Sequence, residues 1–550
     1  MRFKTAFLLL AALVPLAACV GTSEGLGGSL IPVSRTYKVV TPDPIDLDVD
    51  MKMADKLSGY SSTRITVGAI RDDEFGLTTR SCALVLVPLK NRDEKLDFGT
   101  NPVFKSFHFS AIADSVSVSN KDDAGILQNV RVYELSKALK VDQDYDCNKD
   151  VAHNADLICR HIPVINGTDS LAFDFTAAFA EKYVHITDDD LSDFSTYQDK
   201  YPGIYIETDV PAGNGGRINI FQLQLGYDSG NNAITGSVAM LKFRSDYGTR
   251  TGVDTTFYFY FSPTGFHDAD SLFANCATGN FPQYALNLTG HDAAKSRARE
   301  GAATAEILLE GGGGLKPVVS AVKLKQLVSN AIAAAGDDPS KVTVNRASLI
   351  LSYKAPDARF EEMYKLPAIL SPTCKITDDD GVVKFMGLTD ASSEEENQGD
   401  INRSLMQFAP DITYHMQEIL RAKDDDKNLL AGNYDIWFLI MSQEKTTTTT
   451  AANSELSDYY TALAYQSYYN NMYGGYGGYG GAYGGYGYGD YYTNYYSYMM
   501  AASYASGSST STQITTQLDK DRFYCTRFYG PAEANPDLRP KVRITYSVSK

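Results

Sequence analysis

RINIFQLQLGYDSGNNAITGSVAMLKFRSDYGTRTGVDTTFYFYF, residues 217–261, decides the fold class. It holds three runs, RINIFQLQLGY, ITGSVAMLKFRSDY and DTTFYFYF, parted by Gly, Asn and Asp. Branched and aromatic side chains suit a pleated surface, and the parting residues suit turns, so the expectation is a meander of antiparallel strands. CALVLVPL (Cys82–Leu89) and VRVYEL (Val130–Leu135) carry the same signal, and VRITYSV (Val542–Val548) is expected to close a sheet at the C-terminus. Helical spacing is rarer. Leu324, Leu327, Val328, Ala331, Ile332 and Ala335 share one helical face ahead of Gly336, a left-handed cap. Ile412, Met416, Ile419 and Leu420 share another, begun by Pro410-Asp411 and ended before Asp424–Asp426. The fold class expected is mainly β: antiparallel β-sandwich-like domains with a few padding helices and a long Tyr/Gly-rich loop insertion.

Outward from this centre, the N-terminus reads MRFKTAFLLLAALVPLAACVG. Arg2 and Lys4 precede an apolar run, Ala6 to Leu16, too short to span a bilayer, and Ala17-Ala18 make a small-residue cleavage site. LAAC, Leu16–Cys19, looks like a bacterial lipobox, so Cys19 is expected to become the first residue and to carry lipid. Several acyl chains, at ~0.8 kcal/mol per buried methylene, would tether the mature chain to a membrane. Six further cysteines follow, Cys82, Cys147, Cys159, Cys276, Cys374 and Cys525, an even number in an exported chain. Cys147 and Cys159, close in sequence around a polar segment, are the expected disulfide; the other four read equally well as pairs or as isolated buried thiols. The net charge of −17 over 550 residues argues against a general basic face for nucleic acid or anionic headgroups.

Near the other end lies YNNMYGGYGGYGGAYGGYGYGDYYTNYYSYMM, Tyr469–Met500, and Asp490 is the single charge from Tyr459 to Ser506. Glycine keeps such a backbone loose, and aliphatic residues for a core are nearly absent. Tyrosine among Gly, Ser and Asn offers broad amphipathic contact at low rotamer cost, the chemistry of adaptable binding loops. A partner-binding arm is expected, carried by Tyr469, Tyr473, Tyr476, Tyr479, Tyr483, Tyr486, Tyr488, Tyr491, Tyr492, Tyr495, Tyr496 and Tyr498. A low-complexity tract without a dedicated partner is the other reading.

LGGSLIP (Leu26–Pro32), VGAIRDDEFG (Val67–Gly76), DSVSVS (Asp114–Ser119), PGIYIE (Pro202–Glu207), LLEGGGGLK (Leu308–Lys316), NRASLILSY (Asn345–Tyr353) and RPKVRITYS (Arg539–Ser547) occur in this order. In that order they resemble the domain-of-unknown-function family 4270, surface lipoproteins of Bacteroidota. The resemblance implies a lipid-anchored outer-membrane protein facing the cell exterior, within a larger assembly. The Tyr/Gly segment departs from the family pattern as an insertion. No catalytic residue is carried over.

Nothing in the motifs points to catalysis or to a resident metal. His108, His153, His161, His185, His267, His291 and His415 lack metal-ligand spacing, and no G-x-S-x-G elbow occurs. A cysteine nucleophile would need a partner histidine that sequence distance cannot supply. Gly311–Gly314 before Leu315-Lys316 lacks the phosphate-loop spacing, and Pro317 removes an amide, so a flexible turn is expected. ITDDDG (Ile376–Gly381), TDDDL (Thr187–Leu191) and KDDDK (Lys423–Lys427) complete no calcium loop and read as turns and caps, Asp188–Asp190 capping a helix that ends at Pro202-Gly203.

The organisation expected is a signal peptide (1–18), a lipidated tether (19–35), a β-rich region of one or two sandwich-like domains (36–300), a second β-rich domain with helices (301–458), the Tyr/Gly insertion (459–510) and strands completing the second domain (511–550). The function expected is a non-catalytic scaffold or accessory subunit of an outer-membrane complex, of a kind that assembles or caps β-barrel proteins and lipoproteins. Its partners would be an outer-membrane β-barrel protein and other surface lipoproteins, with the bilayer met only through the acyl anchor on Cys19. It would need no cofactor beyond that covalent lipid. The alternative is a surface glycan-binding lipoprotein stacking sugars on Trp437 or the arm; one tryptophan in the whole chain disfavours it, and Trp437 within IWFLI reads as core.

Overall fold

The computed structural model describes residues 37–549 except 91–94, 140–144, 229–232, 264, 267–280, 282, 357–364, 378–380, 393–396 and 450–509. Strands make up 49% and helices 15%, so the class is mainly β. Among the described residues every strand pairing is antiparallel, which lets a sheet turn one face to a core and one to water.

The first body is two sheets sharing one core. The larger runs His153–Leu157, Gln128–Leu135, Ile204–Thr208, Gly76–Leu84, Arg64–Asp72, Gly215–Gln222, Ala113–Val118 in spatial order, with Ala285–His291 also on Gly76–Leu84. The smaller runs Leu171–Asp174, Thr100–Ala111, Val238–Tyr247, Arg250–Phe261, Leu86–Pro88. Alternation sends Phe107 and Phe109, Leu241 and Phe243, Phe259 and Phe261 inward, where Phe107 meets Phe259 at 5.2 Å and Phe109 meets Phe261 at 5.3 Å between ring centres. Phe179, Tyr183, Tyr197 and Tyr201, from the short helices Ala177–Glu181, Lys182–His185 and Phe194–Lys200 and the residue after them, cap that aromatic core.

Two strand readings change in detail. The run over 217–261 is not one meander. Its first strand pairs with Arg64–Asp72 in the larger sheet, Leu225–Asp228 and Ala233–Gly236 form a separate hairpin, and only Val238–Tyr247 with Arg250–Phe261 continue as neighbours in the smaller sheet. Cys82–Leu89 likewise changes sheets. Leu84 ends a strand of one sheet and Leu86 begins a strand of the other, and Cys82 to Val87 are fully buried because the chain crosses the core there.

The second body is built the same way, with helices added. Tyr37–Val40, Lys541–Ser549, Val342–Ser352, Gln407–Phe408 and Ile401–Asn402 form one sheet, and Gly301–Ala302, Asp50–Met53, Leu315–Val319, Ile436–Thr449, Ile369–Thr377 and Val383–Gly387 the other. The helix Ala321–Ala334 buries Ala321, Leu324, Val328 and Ile332 against them, and Gly336 follows with φ +82° as the left-handed cap. The helix Thr413–Arg421 buries His415, Met416, Ile419 and Leu420. Asp411 accepts from Thr413 N–H, and Asp390 from Tyr414 and His415 N–H, so the free amides of the first turn are satisfied. IWFLIM, Ile436–Met441, is continuously apolar because Ile436, Phe438 and Ile440 face this core while Trp437 and Leu439 face a smaller cluster on the other side of the sheet.

Several expectations are corrected. The first β-rich region does not begin at residue 36: strands Tyr37–Val40, Ile45–Asp46 and Asp50–Met53 pair with Lys541–Ser549 and Leu315–Val319, and Leu47, Val49, Met51 and Met53 belong to the second core. The final strand closes no edge; it lies between Val342–Ser352 on one side and the chain's first strands on the other. The helix Phe194–Lys200 is capped by Asp193, which accepts from Thr196 N–H, while Asp190 accepts from Thr187 N–H and meets Lys200 at 2.9 Å.

The expected disulfide is absent. Cys147 and Cys159 are both free and buried, Cys159 in the first core and Cys147 in the small cluster with Ala54, Leu57 and Trp437. Closeness in sequence gave no closeness in space because the strand His153–Leu157 separates them. Cys19 and Cys276 lie outside the described residues.

Candidate functional site

The strand Ile436–Thr449 does two jobs. Up to Met441 it lies between neighbours in the second body's sheet. From Ser442 to Thr449 it pairs, among the described residues, only with Thr510–Gln517. The two strands run in unbroken register from Met441↔Leu518 to Thr449↔Thr510, a two-stranded ribbon continuing past the sheet for about 26 Å at roughly 3.3 Å per residue. SQEKTTTT and TSTQITTQ supply it with threonine, a good strand former, and almost no apolar side chains. Thr449 and Thr510 stand side by side, so both ends of 450–509 emerge at one point. All twelve tyrosines expected to bind a partner, Tyr469 to Tyr498, lie in 450–509, outside the described residues.

The ribbon is rooted in both bodies. Beyond Leu518, the buried Asp519 carboxylate accepts from Tyr524 O–H at 2.9 Å and from Arg522 Nη1 at 2.8 Å. Lys520 Nζ donates to the carbonyls of Ser58 and Tyr60 at 2.8 and 2.6 Å. Phe523 packs on Ile70, Ile218 and Ile220 of the first body's larger sheet, and its N–H donates to Ser117 Oγ at 2.9 Å.

Behind this root sits a buried polar joint around Gly311–Gly314, which the sequence reading took for a flexible turn. The turn is instead walled in. A Cβ on Gly311 would stand 2.4 Å from Arg522 O, on Gly312 2.7 Å from Arg80 Nη2, on Gly313 2.7 Å from Cys147 Sγ, and on Gly314 2.5 Å from Glu310 Cβ. Lys316 Nζ closes the turn by donating to the carbonyls of Glu310, Gly312 and Gly314. The Glu310 carboxylate accepts from Ser296 O–H at 2.7 Å and from Leu315 N–H at 3.0 Å, with His291 Nδ1 at 3.7 Å, too far for a hydrogen bond. Burial lowers the His291 imidazole and keeps it neutral, although Glu310 opposes the shift. Burial would raise Glu310, but His291, Leu315 N–H and Ser296 outweigh it and hold the carboxyl below its ordinary range. Burial also lowers Arg80, whose Nε and Nη2 have no hydrogen-bond partner.

The structure does supply a Cys–His neighbour pair that sequence distance could not reveal. Cys374 Sγ lies 3.7 Å from His415 Nε2, both buried. Nε2 also lies 3.0 Å from Tyr434 O, an acceptor only, so that nitrogen carries the proton and offers the thiol no base. Burial pushes the Cys374 thiol well above its ordinary range and His415 below its own, the reverse of an activated dyad. The remaining described histidines are dispersed: His108 meets Asp174, His153 stacks between Tyr133 and Tyr205, and His185 meets Glu181. Among the described residues no group of three or more His, Cys, Asp or Glu is placed to hold a metal ion. Asp426 caps the short helix Lys427–Leu430, and Asp424 pairs with Lys325.

The chain matches no family model, no curated protein and no solved structure. The functional reading therefore rests on the chain's own residues: a two-stranded ribbon, its bonded root and buried titratable groups engaged in packing.

Proposed function

We propose that the chain is a non-catalytic scaffold or accessory subunit of an outer-membrane protein complex, anchored through lipid on Cys19, facing the cell exterior, and gripping its partners with the Tyr/Gly segment. The partners in this reading are a β-barrel protein and other surface lipoproteins. The observation that carries it is the ribbon: a two-stranded stalk, register fixed to its tip and root bonded to both bodies, holds the two ends of 450–509 together away from the sheet. Presenting a tyrosine-rich loop on a rigid scaffold is how adaptable binding surfaces keep their contacts specific. The glycan-binding reading gains little, because the Trp437 ring is 4% exposed and offers no open platform.

Purification of the tagged, lipidated chain in mild detergent tests the proposal. Stoichiometric co-purification of barrel and lipoprotein partners is expected, and its loss when 450–509 is replaced by a short turn. A solitary chain retained on a polysaccharide column, or partners kept after the replacement, would overturn it.

A further inference from the structure

Beside the second body's sheet, bordered by the chain that follows the short helix Lys427–Leu430, lies a cleft of about 390 Å³, within the size range of small-molecule sites. Lys52, Lys56 and Lys375 line it together with Asp55, Glu300 and Asp435, and Trp437, paired with Thr373 across the sheet, forms its floor. Lys375 Nζ lies 5.1 Å and Lys52 Nζ 5.8 Å from the centre of the Trp437 ring, which meets the Phe385 ring edge to face.

The charges in this cleft are unevenly matched. Asp55 is held by both terminal nitrogens of Arg297 at 2.9 Å, Glu300 accepts from Met53 N–H at 2.8 Å, and Asp435 accepts from Ala321 N–H at 2.9 Å with Lys52 at 3.6 Å. Lys56 pairs with Asp146 at 2.8 Å. The Lys375 ammonium has no hydrogen bond or ion pair among the described residues and lies over the indole. Burial, then the repulsion of Lys52 and Lys56, lowers it from the ordinary lysine range, with Asp55 and Asp146 opposing the shift. A half-buried cation near two like charges, whose opposing carboxylates are already held by Arg297 and Lys56, is costly unless a further anion meets it.

We propose that this cleft binds a small hydroxylated organic anion, a sugar acid in chemical class, whose carboxylate pairs with Lys375. The lone pairs that Asp55, Glu300 and Asp435 do not use inside the protein accept its hydroxyl protons, and the buried Trp437 and Met53 only close the floor beneath it. The site stands or falls separately from the scaffold reading, since none of its residues lies in the ribbon or in 450–509.

Trp437 is the only tryptophan in the chain, so its fluorescence, excited where tyrosine does not absorb, reports on this cleft alone. The full-length protein is titrated with glucuronate, glucose and inorganic phosphate. A saturable change with glucuronate is expected, at least about tenfold tighter than with glucose or phosphate, and weakened about tenfold in Lys375→Met at unchanged melting temperature. Phosphate binding as tightly as glucuronate would reduce the site to a bare anion hole and overturn the proposal. So would glucose binding equally well, Lys375→Met titrating like the parent, or no response to any of the three. Because the glucose comparison uses the unaltered protein, the test survives a variant that fails to fold.

Discussion

Replacing 450–509 by Asn-Gly joins Thr449 directly to Thr510, the pair that ends the ribbon. Two residues between paired strands, Asn-Gly above all, form the tight turn whose twist suits a hairpin. The exchange shortens a loop of 60 residues, counted as 509 − 450 + 1, to two. That is about five halvings at roughly 0.6 kcal/mol each, so closing the loop becomes easier by up to ~3 kcal/mol. If 450–509 contributes no core, the second body should keep or raise its melting midpoint, by a few degrees at this size of change. If the segment is instead packed into the fold, each large apolar side chain removed costs about 1.5–3 kcal/mol, and three of them already reverse the sign. Trp437, five residues before its own strand leaves the sheet at Ser442, is a convenient probe, because its emission follows unfolding of the body that carries the ribbon. A urea or thermal transition followed at Trp437 that shifts downward by several degrees would refute the arm as a presented segment.

Three further outcomes follow from the buried groups. Gly313→Ala should destabilise the fold by about 1–3 kcal/mol through its 2.7 Å clash with Cys147 Sγ, and Cys147→Ala in the same chain should recover on the order of 1 kcal/mol; additivity of the two changes in urea unfolding would refute the joint's packing. His291 and His415 are buried neutral, with folded pKa values below the ordinary 6.5, so the unfolded chain binds more protons than the fold once pH drops beneath that value. Stability should therefore fall as pH drops from 6.5 towards 5, by at most about 1.4 kcal/mol per unit for each ring, and His291→Gln should flatten part of that slope in melts taken across the range. Because Cys147 and Cys159 sit in separate clusters, both should alkylate in the unreduced, denatured protein, and a reductant should leave the melting temperature unchanged; a Cys147–Cys159 linked peptide in mass spectra would refute this.

The sequence by itself determined the material of the fold. Period-two runs such as VRVYEL, the helical stripe Leu324, Val328, Ile332 with its Gly336 cap, and the turn at Gly311–Gly314 are local patterns, and local patterns follow from side-chain periodicity and backbone freedom. The tyrosine-rich segment is equally legible, since composition alone carries it. Only the tertiary structure decided which strands share a sheet: Arg217–Gln222 and Val238–Phe261 are continuous in sequence yet belong to opposite layers, and Tyr37–Met53 folds with the C-terminal strands. Strand patterns encode which face is buried but leave the partner unspecified, because backbone hydrogen bonds are alike in every pairing. The ribbon, the walls of the glycine turn and the unpaired Lys375 beside Trp437 arise from residues far apart in the chain, and their chemistry depends on distances that no spacing in sequence supplies.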